Sequence, residues 1–484
     1  MSYLRGPDRS EVQLLPPCLD DYVAANAPAR FIDAYAEGLD FAALGFTHAR
    51  PRDTGRPPYH PADLLKLYLY GYLHRIRSSR RLEAEAARNL EVVWLLRGVR
   101  PDFKTLADFR RDNRAAFKPL LRDFNLLCRQ MDLFGAELVA IDGSKFKASN
   151  NSRRHYTREQ LGELLGKIEA RIEEYLGELD RQDAEAEGVP AAPGREALAG
   201  KIAQLRECRG RYDGLLGELA QSGRNEISLS DADSRKMKGA HGGHFIGYNV
   251  QVAVDARHDL IVNEDVVQAA NDLGQLGAMA VAAKEELGVE TLRAVADKGY
   301  HQSDQLEACE AAGVEPFVPE PGSRSGQGPD GRAIFPKEQF RYDAQADAYH
   351  CPGAAVLPRV SLHTKGGKQS HLYWNRAACR GCALRRACTT GPWRVLARRV
   401  NQAAAERAAA RVAAQPGIVA ERKSIVEHVF GTLRVWGHDH FLMRGLAKVR
   451  AEFSLSALAY NLRRVLNLRS IPQLLAALRA PATA

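Results

Sequence analysis

The feature that most constrains the fold is an ordered series of strand and helix patterns beginning at residue 137. A β-rich run, ELVAID, ends at Asp142 before the turn-like GSK. A predicted antiparallel hairpin follows (HFIGYNVQVAVDA and LIVNEDVV around RHD), then a helix over 276–287 capped by Gly288, and a strand, TLRAVA, ending at Asp297. Strand, hairpin, helix and strand in this order predict a mixed α/β sheet.

The strand pattern is interrupted after Asp142. Between residues 157 and 219 apolar side chains recur at helical spacing amid dense charge, and the Pro- and Gly-rich stretch EAEGVPAAPGRE divides this segment. We therefore predict a helical hairpin inserted into the sheet-forming region. We interpret it as an interaction arm.

A helical region precedes the first strand. From Pro61 to about residue 134 apolar residues recur at helical spacing, which predicts a compact all-α unit punctuated by two arginine clusters. Arginine can hold phosphate through bidentate contacts, so the clusters favour a phosphate-bearing partner, with an ordinary solvated charged face as the alternative. The candidate residues are Arg75, Arg77, Arg80, Arg81, Arg110 and Arg111.

The bulk properties fit such a partner. The 484 residues include 68 Lys and Arg against 59 Asp and Glu, a formal net charge of +9 that suits a polyanion. A chain of this length is expected to form two to four structural units. It has no N-terminal apolar region typical of a signal peptide and no apolar run of about 18 residues, so we expect a cytoplasmic protein with no membrane partner.

Three carboxylates stand where phosphoryl-transfer chemistry would need them. Asp142 and Asp297 each end a predicted strand, and a late helix, ERKSIVEHVFGTLR, carries Glu427 with Lys423 and Arg434 on the same face. Two Mg²⁺ ions about 4 Å apart, held by carboxylate oxygens, serve this chemistry. For the helix alone, a surface stripe with an ion pair is the alternative.

Other charged residues surround these acids. Lys145 and Lys298 are candidate DNA contacts, although a solvated strand edge would look the same at Lys145. Four further acids are interpreted as structural or supporting residues: Asp231, Asp233, Asp255 and Asp272.

Four of the eight cysteines gather in one segment, as Cys351, the CRGC pair Cys379 and Cys382, and Cys388. Four thiolates can hold Zn²⁺ tetrahedrally, so we expect a structural zinc site, with His350 and His371 as substitute ligands. Reduced thiols in a packed loop are the alternative.

Several stretches carry a family resemblance. PADLLKLYLYGYLHRIRSSRRLEAEAARN and PDFKTLADFRRDN, then VAIDGSK, DADSRKM, YNVQVAVDARHDLIV, ADKGY, the CxxC segment and RKSIVEHVFGTLR occur in this order. Over almost its whole length the chain resembles bacterial insertion-sequence DDE transposases, in the branch related to the insertion sequence 1182 group. The resemblance implies an RNase H-like core with Asp142, Asp297 and Glu427 as the catalytic triad. One departure is Ala420, where the wider superfamily often has tyrosine.

The function that the resemblance implies is metal-dependent cleavage and strand transfer of DNA. The expected cofactors are two Mg²⁺ ions, with Mn²⁺ as a substitute, and structural Zn²⁺. The expected partners are double-stranded DNA, as terminal inverted repeats and as target, and a second copy of the chain on that DNA. Two alternatives remain open: a nuclease that does not join strands, and a non-catalytic DNA-binding regulator.

These inferences divide the chain into six parts. In order they are a helical DNA-binding part, the first part of the core, the inserted hairpin, the continued core, the cysteine-rich insertion and the C-terminal helical part with Glu427. The predicted bounds are 1–134, 135–152, 153–230, 231–320, 321–395 and 396–484.

Overall fold

The computed structural model describes residues 18–50, 57–151, 154–185, 194–239, 242–321, 331 and 333–480. Its helices are α1 (Pro28–Glu37), α2 (Pro61–Leu73), α3 (Ser79–Arg88), α4 (Leu90–Leu95), α5 (Phe103–Asp112), α6 (Phe117–Gln130), α7 (Arg158–Glu185), α8 (Gly194–Ser222), α9 (Leu276–Leu287), α10 (Ser303–Ala311), α11 (Arg376–Arg380), α12 (Arg385–Cys388), α13 (Gln402–Ala414), α14 (Ile418–Val435), α15 (Leu446–Leu468) and α16 (Ile471–Arg479). Short 3₁₀ helices cover Leu19–Tyr22, Lys298–Tyr300 and Lys337–Gln339.

The strands are β1 (Leu138–Lys147), β2 (His155–Thr157), β3 (Glu226–Ser228), β4 (Arg235–Lys238), β5 (His244–Asp255), β6 (Ile261–Val267), β7 (Leu292–Val295), β8 (Val314–Phe317), β9 (Arg341–Asp343), β10 (Ala348–His350), β11 (Val356–Lys365), β12 (Lys368–Tyr373) and β13 (Leu396–Arg399). In the main sheet β5 pairs antiparallel with β1, and β7 and β8 continue from β1 in parallel. β4 and β6 pair with successive parts of β5. The expected mixed α/β class is confirmed.

The first strand is longer than its sequence suggested. The GSK stretch was expected to turn, but β1 continues through it to Lys147, so Asp142 lies in the middle of the strand. The reason is the long partner β5, which pairs with every residue of β1 from Val139 to Lys147. Gly143 suits this position because a Cβ atom there would overlap the side chains of Gln251 and Asp272.

The predicted hairpin between the strands is present. Its helices α7 and α8 pack against each other, and a small apolar cluster of Leu161, Leu219 and Ile227 closes its base beside the β2–β3 pair. The loop predicted between them falls largely outside the described residues.

The N-terminal helices do not have a core of their own. Their buried side chains belong to the same hydrophobic cluster as the main sheet and the C-terminal helices. Helix α15 packs against both α2 and α6, and α16 packs against α1. The expected all-α character of this region is present, but the apolar faces of its helices are covered by elements from the far end of the chain.

The cysteine-rich segment, unlike the N-terminal helices, has a sheet and an apolar core of its own. Its strands form a separate sheet in the order β13-β12-β11-β10-β9, and its core is a separate cluster of Phe340, Tyr349, Leu357, Tyr373 and Leu396. In the described part of the chain, no helix is both long and apolar enough to cross a membrane.

Candidate active site

Asp142 lies on β1 in a largely enclosed position. Burial raises the pKa of its carboxyl, the guanidinium of Arg422 at 3.0 Å lowers it, and the charge of Asp297 raises it again. The two acids therefore lie near each other at one edge of the sheet. Such a pair favours a bound cation, because a cation relieves both the burial cost and the repulsion.

Asp297 follows β7, the parallel neighbour of β1, in the short loop that begins the Lys298–Tyr300 turn of 3₁₀ helix. Its Oδ1 accepts a hydrogen bond of 2.7 Å from the backbone N–H of Gly299. This cap orients the carboxylate next to β1, while Lys298 is exposed beside it. The two aspartates expected to converge are brought together here.

A polar network supports this edge from the opposite face of β1. The Tyr300 hydroxyl donates to Gln251, and the side chains of Gln251 and Asn249 each donate to Asp272 at 2.8 Å. The pKa of the Tyr300 phenol is raised well above its ordinary value, first by burial and then by the charges of Asp272, Asp142 and Asp297. The network therefore ties the loop after Asp297 to the sheet.

Lys145 belongs to that network. Its ammonium group pairs with Asp272 at 3.0 Å, and the side chain is partly buried. It was expected to face DNA. The ammonium group of Lys145 instead neutralises the Asp272 carboxylate within the protein.

Helix α14 lies across β1. Its buried side chains face the sheet, with Phe430 against Phe146 at 6.2 Å between ring centroids, and Arg434 donates to the Ser144 hydroxyl at 2.8 Å. Glu427 is exposed and lies along the helix between Arg422, which pairs with Asp142, and Arg434. Lys423 is also exposed, so the predicted common face of Lys423, Glu427 and Arg434 is present.

Arg422 is a residue that sequence reasoning missed. It lies in line with Ile418, Ile425 and Val429 on the buried stripe of α14, where a charged side chain needs a partner. A charged residue at a position where the helical pattern predicts burial was the signal in the sequence that could have identified Arg422. A buried arginine on the helix that follows the two aspartates predicts a carboxylate beneath it.

The three acids do not form a closed coordination shell in this structure. Within the described ranges, no three His, Cys, Asp or Glu side chains stand close enough to hold one metal ion together. The donor set is nonetheless the kind that Mg²⁺ prefers, since carboxylate oxygens are hard ligands. Asp142 lies on β1, Asp297 follows the parallel neighbour β7, and Glu427 is exposed on helix α14, which packs against β1.

The N-terminal arginine clusters divide into buried and exposed members. Arg77 is buried and donates to the carbonyls of Gly437 and His440 and to the Glu452 carboxylate. Arg110 is buried and donates to Tyr72 and to the carbonyl of Arg77. Their expected role as DNA contacts is wrong for this arrangement, because both guanidinium groups satisfy polar atoms in the core.

The remaining arginines of these clusters lie at the surface. Arg111 pairs with Asp108 at 2.6 Å and Asp112 at 2.7 Å, which neutralises much of its charge. Arg75, Arg80 and Arg81 are exposed. The guanidinium of Arg80 lies 4.7 Å from the ring centroid of Phe103.

The four clustered cysteines lie around one cavity, but no three of them are close enough to hold one metal ion in this structure. Cys351, Cys379, Cys382 and Cys388 line one cavity of about 310 Å³, and a Cβ atom on Gly353 would lie 3.7 Å from the sulfurs of both Cys351 and Cys382. Burial raises the pKa of the Cys388 thiol, and the other three thiols raise it further. Neither His350 nor His371 is among the described residues that line this cavity.

Comparisons with known proteins match two parts of the chain to transposase families. Residues 17–112 match the family described as "Transposase domain (DUF772)", and residues 222–462 match the "Transposase DDE domain". No curated protein matches the chain significantly. A cryo-EM structure of the piggyBac transposase synaptic complex with hairpin DNA is 8% identical, with 94% of this chain and 79% of that chain covered. Its TM-score of 0.29 is too low to support an argument.

Proposed function

The chain belongs to the insertion-sequence transposases of the DDE type, and we propose that Asp142, Asp297 and Glu427 are the carboxylates with which it cleaves and joins DNA. The observation that carries this proposal is geometric: Asp142 lies on β1 and Asp297 follows its parallel neighbour β7, next to helix α14, which packs against β1 and bears Glu427. A transposase needs such acids, because phosphoryl transfer relies on positioning and charge stabilisation.

We propose an RNase H-like core for this sheet. The support is its topology: β6 and β5 form an antiparallel hairpin beside β1, and β7 and β8 extend the sheet in parallel on the other side. This order places the first acid on the central strand and the second after its parallel neighbour. Helix α14 packs against β1 and carries the third acid, Glu427, on its exposed side.

The same three carboxylates would hold Mg²⁺. When bound, the metal activates the attacking oxygen and stabilises the leaving oxygen. The protein's own groups fix the frame: Arg422 holds Asp142, and the Gly299 N–H orients Asp297. Lys423 and Arg434, exposed on either side of Glu427, are suited to bind DNA phosphates, as is Lys298.

The test is a labelled element-end duplex incubated with each variant and each divalent cation. Asp142→Asn, Asp297→Asn and Glu427→Gln should each abolish nicking and strand transfer but keep DNA binding, because the amides retain shape and lose charge. Each loss should far exceed the tenfold to roughly hundredfold expected of a supporting residue. Mn²⁺ should replace Mg²⁺, and Ca²⁺ should support little chemistry.

Two variants serve as controls. Glu421→Gln removes another exposed glutamate from α14 and should leave activity near the wild-type level, while Asp272→Asn should retain measurable activity. Full activity of the Glu427→Gln protein would remove Glu427 from the triad and make Glu421 the next candidate. Nicks without joined products would indicate a nuclease, and binding without any cleavage would indicate a regulator.

We also propose that Cys351, Cys379, Cys382 and Cys388 hold one structural Zn²⁺. The support is that all four cysteines line one cavity and that thiolates prefer zinc; a bound ion would have to draw the sulfurs together, because no three of them lie close enough to hold it in this structure. A homodimer on DNA is proposed as well, because one reaction acts on two element ends. Elemental analysis and the mass of the DNA complex test these two points.

A further inference from the structure

The chain's positive charge is concentrated in one segment. Residues 348–405 contain ten of the 68 lysines and arginines and none of the 59 acids, which leaves 58 cations against 59 acids in the rest of the chain. The rest is therefore close to neutral. A segment that accounts for the whole net charge of a DNA-processing protein calls for a physical reason.

Burial separates two kinds of cation within this segment. Arg398 is buried against Tyr342 and pairs with Glu406, and Arg394 donates to the carbonyl of Cys388 at 2.8 Å, so both stabilise the small sheet. Other cations are exposed and form no ion pair with any residue that the structure describes. These are Lys365, Lys368, Arg380, Arg385, Arg386 and Arg399.

Strand register places three of the exposed cations on one face. Gly366 and Gly367, both with positive φ (56° and 74°), form a tight turn that holds Lys365 directly opposite Lys368. On the next strand Arg399 lies opposite Ser370, two residues from Lys368. The buried Leu396 and Arg398 point the other way, so these three cations share the outward face.

Such an arrangement is unfavourable without a counter-charge. Like charges directly opposite each other on paired strands repel and destabilise the pair. Here neither Lys365 nor Lys368 forms an ion pair with an acid of the described residues, and the nearest acids in the adjoining cleft, Asp304 and Glu307, lie on its other wall. An anionic partner that lies against this face would relieve the repulsion.

The outward face is also close to the active-site edge. Lys368 and Arg399 line a cleft of about 360 Å³ together with Gly367 and Gln369, and the opposite wall is formed by residues 301–304 and 307. That wall begins four residues after Asp297 and includes the acids Asp304 and Glu307. DNA whose scissile phosphate lies at Asp297 would therefore pass beside the basic face.

We propose that the outward face of β11, β12 and β13, defined by Lys365, Lys368 and Arg399, binds the phosphate backbone of double-stranded DNA flanking the cleavage site. The inference rests on the transposase function and adds a binding surface to it. Contacts of this kind bind without reading sequence, and they hold the duplex in register for the acids. The cysteine-rich sheet is then a DNA clamp, with its cysteines maintaining the fold that presents these cations.

The test compares two charge-matched triple variants of the full-length protein. The first carries Lys365→Gln, Lys368→Gln and Arg399→Gln. The second carries Lys167→Gln, Lys201→Gln and Arg206→Gln, which removes three exposed cations from α7 and α8. Binding of a fluorescein-labelled duplex of mixed sequence is measured by anisotropy across a salt series.

The first variant should bind about tenfold more weakly or worse, and its salt slope should fall by up to about 0.9 for each phosphate that the variant no longer neutralises. The second should change affinity by less than about twofold, since its charges lie away from the proposed surface. A double variant with Lys365→Arg and Lys368→Arg keeps both positive charges and should therefore bind the duplex nearly as tightly as the wild-type protein. Equal losses in both triple variants, or no loss in the first, would overturn the proposal.

Two further readouts separate this proposal from the catalytic one. The first triple variant should still nick DNA at saturating protein, whereas Asp142→Asn should bind normally and not nick. If the first variant binds DNA normally but changes its oligomeric state, the face contacts a second copy of the chain, and the DNA proposal is wrong. Circular dichroism of each variant checks that the small sheet remains folded.

Discussion

The N-terminal helices and the cysteine-rich sheet look alike in the sequence, as arginine-rich additions to a central fold, but their charges are placed in opposite ways. In the N-terminal helices Arg77 and Arg110 are buried and satisfy carbonyls and carboxylates of other elements. In the cysteine-rich sheet most cations are exposed and form no ion pair with an acid of the described residues. The buried arginines of the first region stabilise the fold, whereas the exposed cations of the second region are free to bind an anionic partner.

The difference follows from how each region buries its apolar surface. Helices α1, α2 and α6 complete their burial with α15 and α16 from the far end of the chain, so charged side chains between them are enclosed. The small sheet closes its own core with a few aromatic and aliphatic residues. Its charges therefore stay at the surface. An arginine cluster therefore predicts a DNA contact only if its side chains are expected to be exposed and no nearby acids are expected to pair with them.

The largest expected effect comes from removing the buried charge that joins the N-terminal helices to the C-terminal segment. Arg77→Ala should lower the free energy of unfolding by about 3–5 kcal/mol, because it leaves the buried Glu452 carboxylate without its cation. Urea denaturation measures the change. The exposed Arg81→Ala is the matched control and should stay within about 0.5 kcal/mol of wild type. A loss of DNA affinity with unchanged stability in Arg77→Ala would return Arg77 to the DNA-binding surface.

A second prediction uses the histidine in the same junction. Burial, and then the charge of Arg77, lower the pKa of His438 to about 3, and its ring packs between Tyr72 and Trp436. Since the folded pKa lies below the ordinary value of about 6.5, this contribution to stability is complete above about pH 6.5 and is lost as the pH falls towards 3.

Unfolding measured at descending pH should therefore show a loss approaching about 1.4 kcal/mol per pH unit from this group. His438→Phe should flatten that slope, because both ring nitrogens lack a hydrogen-bond partner among the described residues and an apolar ring can replace them. The exposed His363→Gln is the control and should leave the slope unchanged. An unaltered slope in His438→Phe would mean that the junction does not hold a neutral histidine.

The third prediction concerns the region that carries its own core. Cys379→Ser combined with Cys382→Ser should abolish zinc binding and make residues 333–400 sensitive to protease, while the main core keeps its cooperative unfolding transition. The reason is the small size of the separate apolar cluster, which needs a cross-link to remain folded. Limited proteolysis with mass spectrometry measures it. Cys18→Ser, at an exposed position, is the control, and a folded metal-free sheet would contradict the zinc assignment.

Much of the central fold could be predicted because local patterns agree with it. Helix α9 has the predicted bounds and is capped by Gly288 with a φ of 64°, and helix α14 contains the whole predicted stretch ERKSIVEHVFGTLR. The order of strands around Asp142 and Asp297 was also predicted from apolar runs and turns. These elements bury one regular face, so their periodicity is visible in the sequence.

What the sequence could not predict depends on partners distant along the chain. The length of β1 past Asp142 is set by β5, which begins about a hundred residues later. The Lys145–Asp272 pair and the burial of Arg77 depend on elements that local patterns do not connect. In the candidate site the three acids were selected from strand and helix patterns and from the family resemblance, and their catalytic role stays a proposal. Arg422 was missed because its carboxylate partner lies on a strand 280 residues before it.

The smallest effect on stability is expected from shortening the helical arm formed by α7 and α8, because the arm contributes no buried residue to either of the two larger hydrophobic clusters. Replacing residues 166–211 with a short Gly/Ser linker keeps Leu161, Leu219 and Ile227, so the apolar cluster at the base remains closed. The free energy of unfolding of the main core should change by no more than about 0.5 kcal/mol, as for substitutions away from buried features.

Nicking of a single end duplex by this shortened protein should persist. Pairing of two ends, which native gel electrophoresis measures, should be impaired if the arm joins subunits. A matched linker of scrambled polar sequence checks that the result does not depend on linker chemistry. Loss of cooperative unfolding would instead show that the arm supports the catalytic fold, and it would join the N-terminal helices as a region whose folding cannot be separated from the sheet.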